Sequence, residues 1–427
     1  MNLPKTVLET VEIISKKLSP KMAELFSNCY TNTLLTTTEI MEDGSTFIIT
    51  GDIPAMWLRD SSQQVMHYID LLQKDQEVRK VIEGLIKKQF MYISIDPYAN
   101  AFNREPNGQG HQDDITEQNP WIWERKYEVD SLCHPIRLAY LYWKAVGSSD
   151  IFDDSFKSVL MSIIKLWKTE QRHDEMSSYR FTRLNCPESD TLANSGAGTR
   201  TGYTGMTWSG FRPSDDACEY GYNIPANMFA VTVLGYIEEM AQLIYDDTSL
   251  ALEAKTLKQE IDEGINKYGV INDPEYGEVY AYEVDGLGHY NLMDDANVPS
   301  LLSAPYLNYC DVSDKRYQNT RRYILSQKNP YFYEGEYAKG IGSPHTPKGY
   351  IWHIGLIVQF LTSIDSQEKN ELLEMIQATD AGTGYMHESF SKDDPSIYTR
   401  EWFAWANSMF SELVLQSVNN AKESKKV

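Results

Sequence analysis

Cysteine and positive charge are both scarce in this chain of 427 residues. The five cysteines stand far apart, at Cys29, Cys133, Cys186, Cys218 and Cys310, and none belongs to a C-x-x-C pair. This usage favours reduced thiols in the cytoplasm over a disulfide framework or a zinc site. The 39 Lys and Arg residues are outnumbered by 61 Asp and Glu residues, which gives a formal net charge of −22. Such a charge disfavours nucleic acid and anionic membranes as partners.

Long apolar runs and linkers are also absent from the sequence. No apolar stretch reaches the length of about 18 residues that spans a membrane. The first 22 residues resemble an amphipathic helix with Glu and Lys on one side, rather than a signal peptide. No segment rich in Pro, Gly or Ser divides the chain. We therefore expect a single domain over residues 1–427, located in the cytoplasm, and no obligate protein partner.

Most of the chain shows helical periodicity, with apolar residues at intervals of three and four. The clearest predicted helices cover residues 155–171, 226–246 and 350–364. The alternation typical of strands is rare, and its best example is the hairpin candidate at residues 270–286. The predicted fold class is therefore all-α with a minor β-hairpin.

Clusters of polar and aromatic residues precede or open an apolar helix six times. They begin at Trp57, Tyr127, Ser214, Tyr290, Lys348 and Arg400. Their spacing of roughly 50 to 90 residues is about enough for two helices and their connections. Six helical hairpins can close into a double ring, an (α/α)6 barrel, in which the polar starts of the inner helices face one mouth. An α-solenoid, the alternative, would show a more uniform period.

Two segments contain carboxylates in a setting that suits chemistry. In TGMTWSGFRPSDDACEYGYNIPANM, residues 204–228, Asp216 and Glu219 form a D-x-x-E pattern similar to a capping box, which leaves Asp215 without a structural task. In GTGYMHESF, Glu388 lies in a glycine-led loop that can position a water molecule. Glycoside hydrolysis needs one protonated acid and one ionised carboxylate on opposite sides of a sugar. A helix cap and a solvated loop glutamate are the structural alternatives.

Aromatic and polar side chains suited to a neutral sugar lie around these segments. The chain has 28 Tyr and 9 Trp, whose rings stack on sugars as well as pack in cores. Glu124 and Tyr127 belong to a polar, aromatic-rich loop at residues 100–131. The segment at residues 193–205 lacks the G-K-[ST] ending of a phosphate loop, and no H-E-x-x-H pattern groups the histidines. We therefore expect no metal and no other cofactor.

Several long motifs together resemble glycoside hydrolase family 125. They are GDIPAMWLRDSSQQV, TWSGFRPSDDACEYGYNIPANMFA, MDDANVPSLLSAPY, GIGSPHT, YIWHIGL, MHESF and REWFAWANSMFSELV, and they extend from Gly51 to Val414. The resemblance implies an (α/α)6 barrel and a metal-independent, inverting exo-α-1,6-mannosidase. Its substrate would be an α-1,6-linked mannose oligosaccharide or an N-glycan fragment. The catalytic pair would be Asp215 as general acid and Glu388 as general base, with Asp215 preferred because capping occupies Asp216.

The residues expected to hold the terminal mannose come from the same motifs and from the loop at residues 100–131. They are Trp57, Arg59, Asp60, Glu124, Tyr127, Arg212, Asp216, His345 and His387. We expect Arg59 and Asp60 to form a bidentate pair that orients the guanidinium. We also expect partial burial or the charge of Asp216 to keep Asp215 protonated.

Other functions of an α/α ring stay open at this point. An epimerase or a glucoamylase-like hydrolase would use the same fold on another sugar. A prenyltransferase subunit would need zinc ligands and a second chain, and the scattered Cys and His residues indicate no such site. A carbohydrate-binding module would bind the sugar without cleaving it.

Overall fold

The structure, a computed structural model, describes residues 3–423 of the chain. Helices dominate this part of the chain. In chain order they are α1 (Lys5–Ser15), α2 (Pro20–Asn32), α3 (Leu58–Gln63), α4 (Gln76–Ile95), α5 (Val129–Val146), α6 (Asp154–Glu170), α7 (His173–Met176), α8 (Ala193–Gly196), α9 (Ile224–Leu243), α10 (Thr248–Tyr268), α11 (Lys315–Ile324), α12 (His353–Leu361), α13 (Ser366–Ala378) and α14 (Ala404–Glu423).

The strands are short and form small antiparallel sheets of two or three strands. In chain order they are β1 (Thr38–Ile40), β2 (Thr46–Ile48), β3 (Met56–Trp57), β4 (Ala101–Phe102), β5 (Ile122–Glu124), β6 (Tyr222–Asn223), β7 (Val270–Asp273), β8 (Gly277–Tyr280), β9 (Glu283–Val284), β10 (Tyr290–Asn291), β11 (Phe332–Glu334), β12 (Lys339–Ile341), β13 (Tyr350–Trp352), β14 (Ser389–Ser391) and β15 (Tyr398–Thr399). The sheets pair as β1-β2, β3-β4-β5, β10-β9-β6, β7-β8, β11-β12 and β13-β14-β15. The hairpin predicted at residues 270–286 is confirmed as β7 and β8, and the chain holds more short strands than its sequence indicated.

The helices form the predicted (α/α)6 double ring. The inner ring contains α3, α5, α9, α12 and α14, in which α5 packs between α3 and α9, and α14 packs against α3 and α12. Helices α3 and α12 are buried along almost their whole length, as expected of inner helices. The outer helices α2, α4, α6, α10, α11 and α13 each keep an exposed side. All six polar and aromatic clusters precede or open an inner element.

The fourth inner element is not a regular helix. Residues 302–308 form consecutive turns instead. Pro305 lies in the middle of this segment and has no N–H for a helical hydrogen bond. The two side-chain oxygens of Asp294 accept hydrogen bonds from the N–H groups of Leu301 and Leu302, at 2.8 and 3.0 Å, and so satisfy two backbone donors at the start of the segment.

The start of α9 corrects one prediction from the sequence. Asp216 and Glu219 do not form a capping box, because the chain continues through β6 before it becomes helical. Asn223 caps α9 instead, and its side-chain oxygen accepts a hydrogen bond from the N–H of Ala226 at 3.0 Å. Pro225 in the first turn also suits a helix that starts at Ile224.

The three clearest predicted helices are confirmed, with small changes at their ends. The segment at residues 155–171 is α6, and the segment at 226–246 is α9. In the segment at 350–364, α12 starts only at His353, because the three residues before it pair with β14 as strand β13. Within residues 3–423, no helix is both long enough and apolar enough to pass through a bilayer.

We predict that Gly221→Ala destabilises the protein by about 1–3 kcal/mol, as overpacking of a core does. A Cβ atom at Gly221 would lie 2.1 Å from the indole Nε1 of buried Trp208, a ring that also stacks on His173 at 3.5 Å. Urea unfolding of the variant would measure the loss.

Gly235→Ala is the matched control, because this glycine lies inside α9 and its nearest atom is the flexible end of Lys258 at 3.3 Å. We expect this variant to match or exceed wild-type stability by up to about 1 kcal/mol. Equal unfolding midpoints for Gly221→Ala and the wild type would contradict the packing argument.

Candidate active site

Asp215 and Glu388 line the same pocket. Asp215 lies in the loop before β6, and Glu388 directly precedes β14. The pocket lies at the starts of inner helices, because Trp57, Trp352 and Phe403 each immediately precede one. Its other lining residues are Thr50, Ile53, Arg59, Asp60, Pro213, Ser214, Asn297, His345, Arg400 and Trp405.

Arg59 is a buried residue of the pocket lining and contacts several acidic groups. Its side chain is 3% exposed. Nη1 donates hydrogen bonds to Glu128 at 2.7 Å and to Asp130 at 3.1 Å, and Nη2 donates to Asp215 at 2.7 Å. The predicted bidentate pair with Asp60 is wrong, since Asp60 only approaches Nε, at 3.5 Å. Adjacent residues of a helix do not face each other, so the partners of Arg59 come from other segments.

The charge state of Asp215 also differs from the prediction. Burial alone would raise the pKa of Asp215, but the Arg59 guanidinium, a hydrogen bond with Glu128 and the Lys126 ammonium together hold it below its usual value. The expectation that burial or Asp216 keeps Asp215 protonated is therefore wrong. Asp215 has a left-handed backbone, with φ of +69°, and its carbonyl oxygen accepts a hydrogen bond from Lys126 Nζ at 2.8 Å.

Arg400 holds the second carboxylate. Its Nε donates a hydrogen bond to Oε1 of Glu388 at 3.1 Å, and its Nη1 pairs with Asp52. Burial alone would lower the pKa of Arg400, but Glu388, Asp52 and Asp60 raise it, so the guanidinium is charged. Asp215 and Glu388 are thus each held by an arginine, and these two arginines come from opposite ends of the chain.

His345 contributes a positive charge to the wall of the pocket. Its Nδ1 lies 3.1 Å from Oδ1 of Asp216. Burial alone would lower the pKa of His345, but its contact with Asp216 and the charges of Asp215 and Glu388 raise it to about 9. The imidazolium is therefore present at neutral pH. Asp216 itself lies behind His345 and is not among the residues that line the pocket.

Trp57 and Asp60, both predicted to hold the sugar, face the pocket. The indole Nε1 of Trp57 is buried and has no hydrogen-bond partner among the described residues. Burial first, and then the charge of Asp215, raises the pKa of Asp60 to about 6 against the opposing effect of Arg59. The ring of Trp405 adds an aromatic surface, and Arg59 lies over it at 5.7 Å. These groups offer both flat apolar faces and hydrogen-bonding atoms.

Two other residues predicted to contact the sugar lie outside the pocket lining and hold neighbouring segments in place. Arg212 donates two hydrogen bonds to the buried carboxylate of Glu283, at 2.5 and 2.9 Å. His387 stacks on Tyr398 with ring centroids 4.0 Å apart, and its Nδ1 lies 3.0 Å from the carbonyl oxygen of Arg400. Both therefore support the loops that carry the catalytic candidates.

Glu124 and Tyr127 also lie behind the pocket lining. Glu124 accepts hydrogen bonds from Asn100 and Arg183, both at 2.9 Å. Tyr127 is fully buried and stacks against Trp208 at 6.1 Å. Both residues were predicted to contact the sugar because their loop is rich in polar and aromatic residues. In the structure they belong instead to a core layer behind the pocket.

The structure adds polar and aromatic residues that are not among the predicted sugar contacts. Asn297, Arg400 and Trp405 line the pocket, and Glu128 and Asp130 bind its arginine. Each belongs to one of the six polar and aromatic clusters, so the repeated pattern was the signal that pointed to them. Within residues 3–423, no three His, Cys, Asp or Glu side chains are arranged to bind a metal ion.

A family model matches most of the chain. Residues 19–415 match the family described as metal-independent α-mannosidases, glycoside hydrolase family 125. The chain is also similar to the meiotically up-regulated gene 157 protein of Schizosaccharomyces pombe. The two are 38% identical over 434 residues, which cover 96% of this chain and 85% of the yeast protein.

Solved structures agree with this assignment. A metal-independent α-mannosidase of Streptococcus pneumoniae, in a non-productive complex with α-1,6-mannobiose, is 52% identical. The match covers 98% of this chain and 100% of that one, with a TM-score of 0.95. A bacterial glucoamylase bound to acarbose is only 12% identical at a TM-score of 0.60, covers 95% of this chain and 56% of that one, and so shares the fold alone. The chain therefore belongs to glycoside hydrolase family 125, the metal-independent α-mannosidases.

Proposed function

We propose that this enzyme removes the terminal non-reducing mannose from α-1,6-linked manno-oligosaccharides or N-glycan fragments, with inversion at the anomeric carbon. The observation that carries the proposal is the placement of Asp215 and Glu388 on one pocket, each beside an arginine. The 52% identity with the S. pneumoniae enzyme that binds α-1,6-mannobiose supports the linkage.

The two carboxyl groups have different tasks in this mechanism. Asp215 donates a proton to the glycosidic oxygen as the bond to the anomeric carbon breaks. Glu388, oriented by Arg400, takes a proton from the water that attacks this carbon from the opposite face. Inversion requires the two carboxyl groups to stand roughly 6.5–9.5 Å apart, so that the water fits between the sugar and its base.

The rest of the pocket would hold the sugar. Trp57 and Trp405 can stack on the apolar faces of mannose, and Asp60 and His345 can hydrogen-bond its hydroxyl groups. We further propose that the chain acts as one catalytic domain, which the extent of the family match supports. A cytoplasmic location is proposed from the five cysteines, all of which are free thiols.

We predict that Asp215→Asn and Glu388→Ala each lower the release of mannose from α-1,6-mannobiose by about 10²–10⁴-fold, the usual contribution of a general acid or base. Asp394→Asn is the control, because this aspartate lies in an exposed turn where it binds Ser396. Near-normal turnover in either pocket variant, with an unchanged fold by circular dichroism, would refute that residue's role.

We predict that the first product seen by proton NMR is β-mannose. Inversion of an α-linkage gives the β-anomer directly, and the α-anomer then accumulates only by mutarotation. Spectra collected during the first minutes of hydrolysis would decide the point. Early accumulation of α-mannose would indicate retention and a covalent intermediate, and would contradict the assignment of Glu388 as a base.

We predict that KM for α-1,6-mannobiose rises as the pH passes through about 9. This is the pKa of His345, which its contact with Asp216 raises. The imidazolium is present below this pH and is lost above it, together with its charged hydrogen bond to the sugar. His345→Gln should raise KM about tenfold at neutral pH and remove the alkaline rise. His289→Gln, at an exposed histidine, should leave both unchanged. An alkaline rise that persists in His345→Gln would contradict this role.

A further inference from the structure

The surroundings of Arg59 hold more negative than positive charge. Its guanidinium faces carboxyl groups from α3, from the start of α5 and from the loop before β6, namely Asp60, Glu128, Asp130 and Asp215. Four other basic groups lie near this cluster. Lys126, His345 and Arg400 are each paired with a carboxylate outside it, namely Asp190, Asp216 and Glu388. Burial and then the charge of Arg59 lower the pKa of His134, so this histidine stays neutral. These cations only partly offset the four buried carboxyl groups around Arg59, which favours a proton on one of the four.

Glu128 is the group best placed to carry that proton. Its side chain is 0% exposed, and it shares the Arg59 guanidinium with Asp215, since Nη1 donates to Glu128 and Nη2 donates to Asp215, both at 2.7 Å. Two carboxyl groups held this close in a buried site disfavour a second negative charge, so one of them keeps its proton. Oε2 of Glu128 already accepts hydrogen bonds from Arg59 and from Ser131, both at 2.7 Å, whereas Oε1 has only Asn100 at 3.4 Å. Oε1 therefore has room for the proton.

The electrostatics of the pair agree with this placement. Burial first, and then the charges of Asp215 and Asp130, raise the pKa of Glu128 against the opposing effect of Arg59. The charge of Arg59, and then Glu128 and Lys126, lower the pKa of Asp215 against the effect of burial. The opposite directions of the two shifts favour the proton on Glu128 and the charge on Asp215. Asp215 is then ionised although its proposed task is to donate a proton.

We propose that Glu128 stores the proton that Asp215 delivers to the glycosidic oxygen. When substrate occupies the pocket, the O–H bond of Glu128 breaks as an O–H bond forms on Asp215, and Glu128 is left as a carboxylate paired with Arg59. Asp215 then gives this proton to the leaving oxygen as the glycosidic bond breaks. Glu388 takes a proton from the attacking water and releases it to solvent, from which Glu128 is reloaded. Glu128 is thus a positioning residue that acts through Asp215, and the proposal depends on the proposed function.

The decisive variant is Glu128→Gln, which keeps the size of the side chain and a hydrogen-bond donor but cannot release a proton. Its kcat and KM would be measured on α-1,6-mannobiose and on 2,4-dinitrophenyl α-mannoside, whose leaving group departs without protonation. We expect kcat on mannobiose to fall about 100-fold or more, with less than about threefold change on the aryl substrate. The remaining mannobiose activity should move to lower pH, because Asp215 must then take its proton from solvent.

Asp130→Asn is the matched control. It removes a carboxylate from the same guanidinium, but Asp130 is hydrogen-bonded to Arg59 and not to Asp215. Loss of the Asp130 charge removes one cause of the raised pKa of Glu128, so we expect the pH profile of this variant to move to lower pH. Glu128 can still release its proton in this variant, so the ratio of kcat on the two substrates at the pH optimum should stay within about threefold of the wild-type ratio. If Glu128→Gln fails to fold, Glu128→Asp takes its place and should show the same selective loss to a smaller extent.

Equal losses on the two substrates in the Glu128 variant would overturn the proposal, because they would indicate a structural role. Wild-type turnover of mannobiose with an unchanged pH profile would overturn it as well. The wild type is measured first. If the wild type released no mannose from mannobiose, this result would refute the proposed function, and the inference about Glu128 would be refuted together with it.

Discussion

The site depends on one buried cation, the guanidinium of Arg59, and on the carboxyl groups around it. A buried charge is tolerated only when it is paired and hydrogen-bonded, and a guanidinium can bind several carboxylates at once through its planar set of donors. Glu128, Asp130 and Asp215 use this geometry from three directions. The contact with Arg59 orients Asp215 toward the pocket and also favours its ionised form. Both the position and the charge of Asp215 therefore depend on this one interaction.

The double ring explains how such distant residues meet. Each inner helix begins at the same end of the barrel, and the loops before these helices carry the polar and aromatic clusters. Arg59 opens the first inner helix, and Arg400 precedes the last. The two arginines hold Asp215 and Glu388 on one pocket, and small antiparallel sheets such as β13-β14-β15 fix the loops that carry them. Closure of the ring therefore creates the site.

Much of the architecture was accessible from the sequence. The periodicity of α6 and α9 and the β7-β8 hairpin were recognisable because each follows from local alternation of apolar and polar side chains. The N-cap of α9 could not be recognised from the sequence. The D-x-x-E pattern that starts at Asp216 fits a capping box when it is considered alone, whereas Asn223 is the residue that caps the helix. The fourth inner element, which contains Pro305, consists of turns, although the spacing of the clusters predicted a helix there.

The sequence by itself determined the fold class, the family and the short motifs that contain the pocket residues, because these depend on local patterns and on long matching segments. Only the tertiary structure decided which polar residues line the pocket and which brace it. Arg212 and Glu124 are as polar as Arg59, yet Arg212 is paired with Glu283, and Glu124 with Arg183. Distances and charge states are properties of packed groups from different segments, and no local pattern contains them.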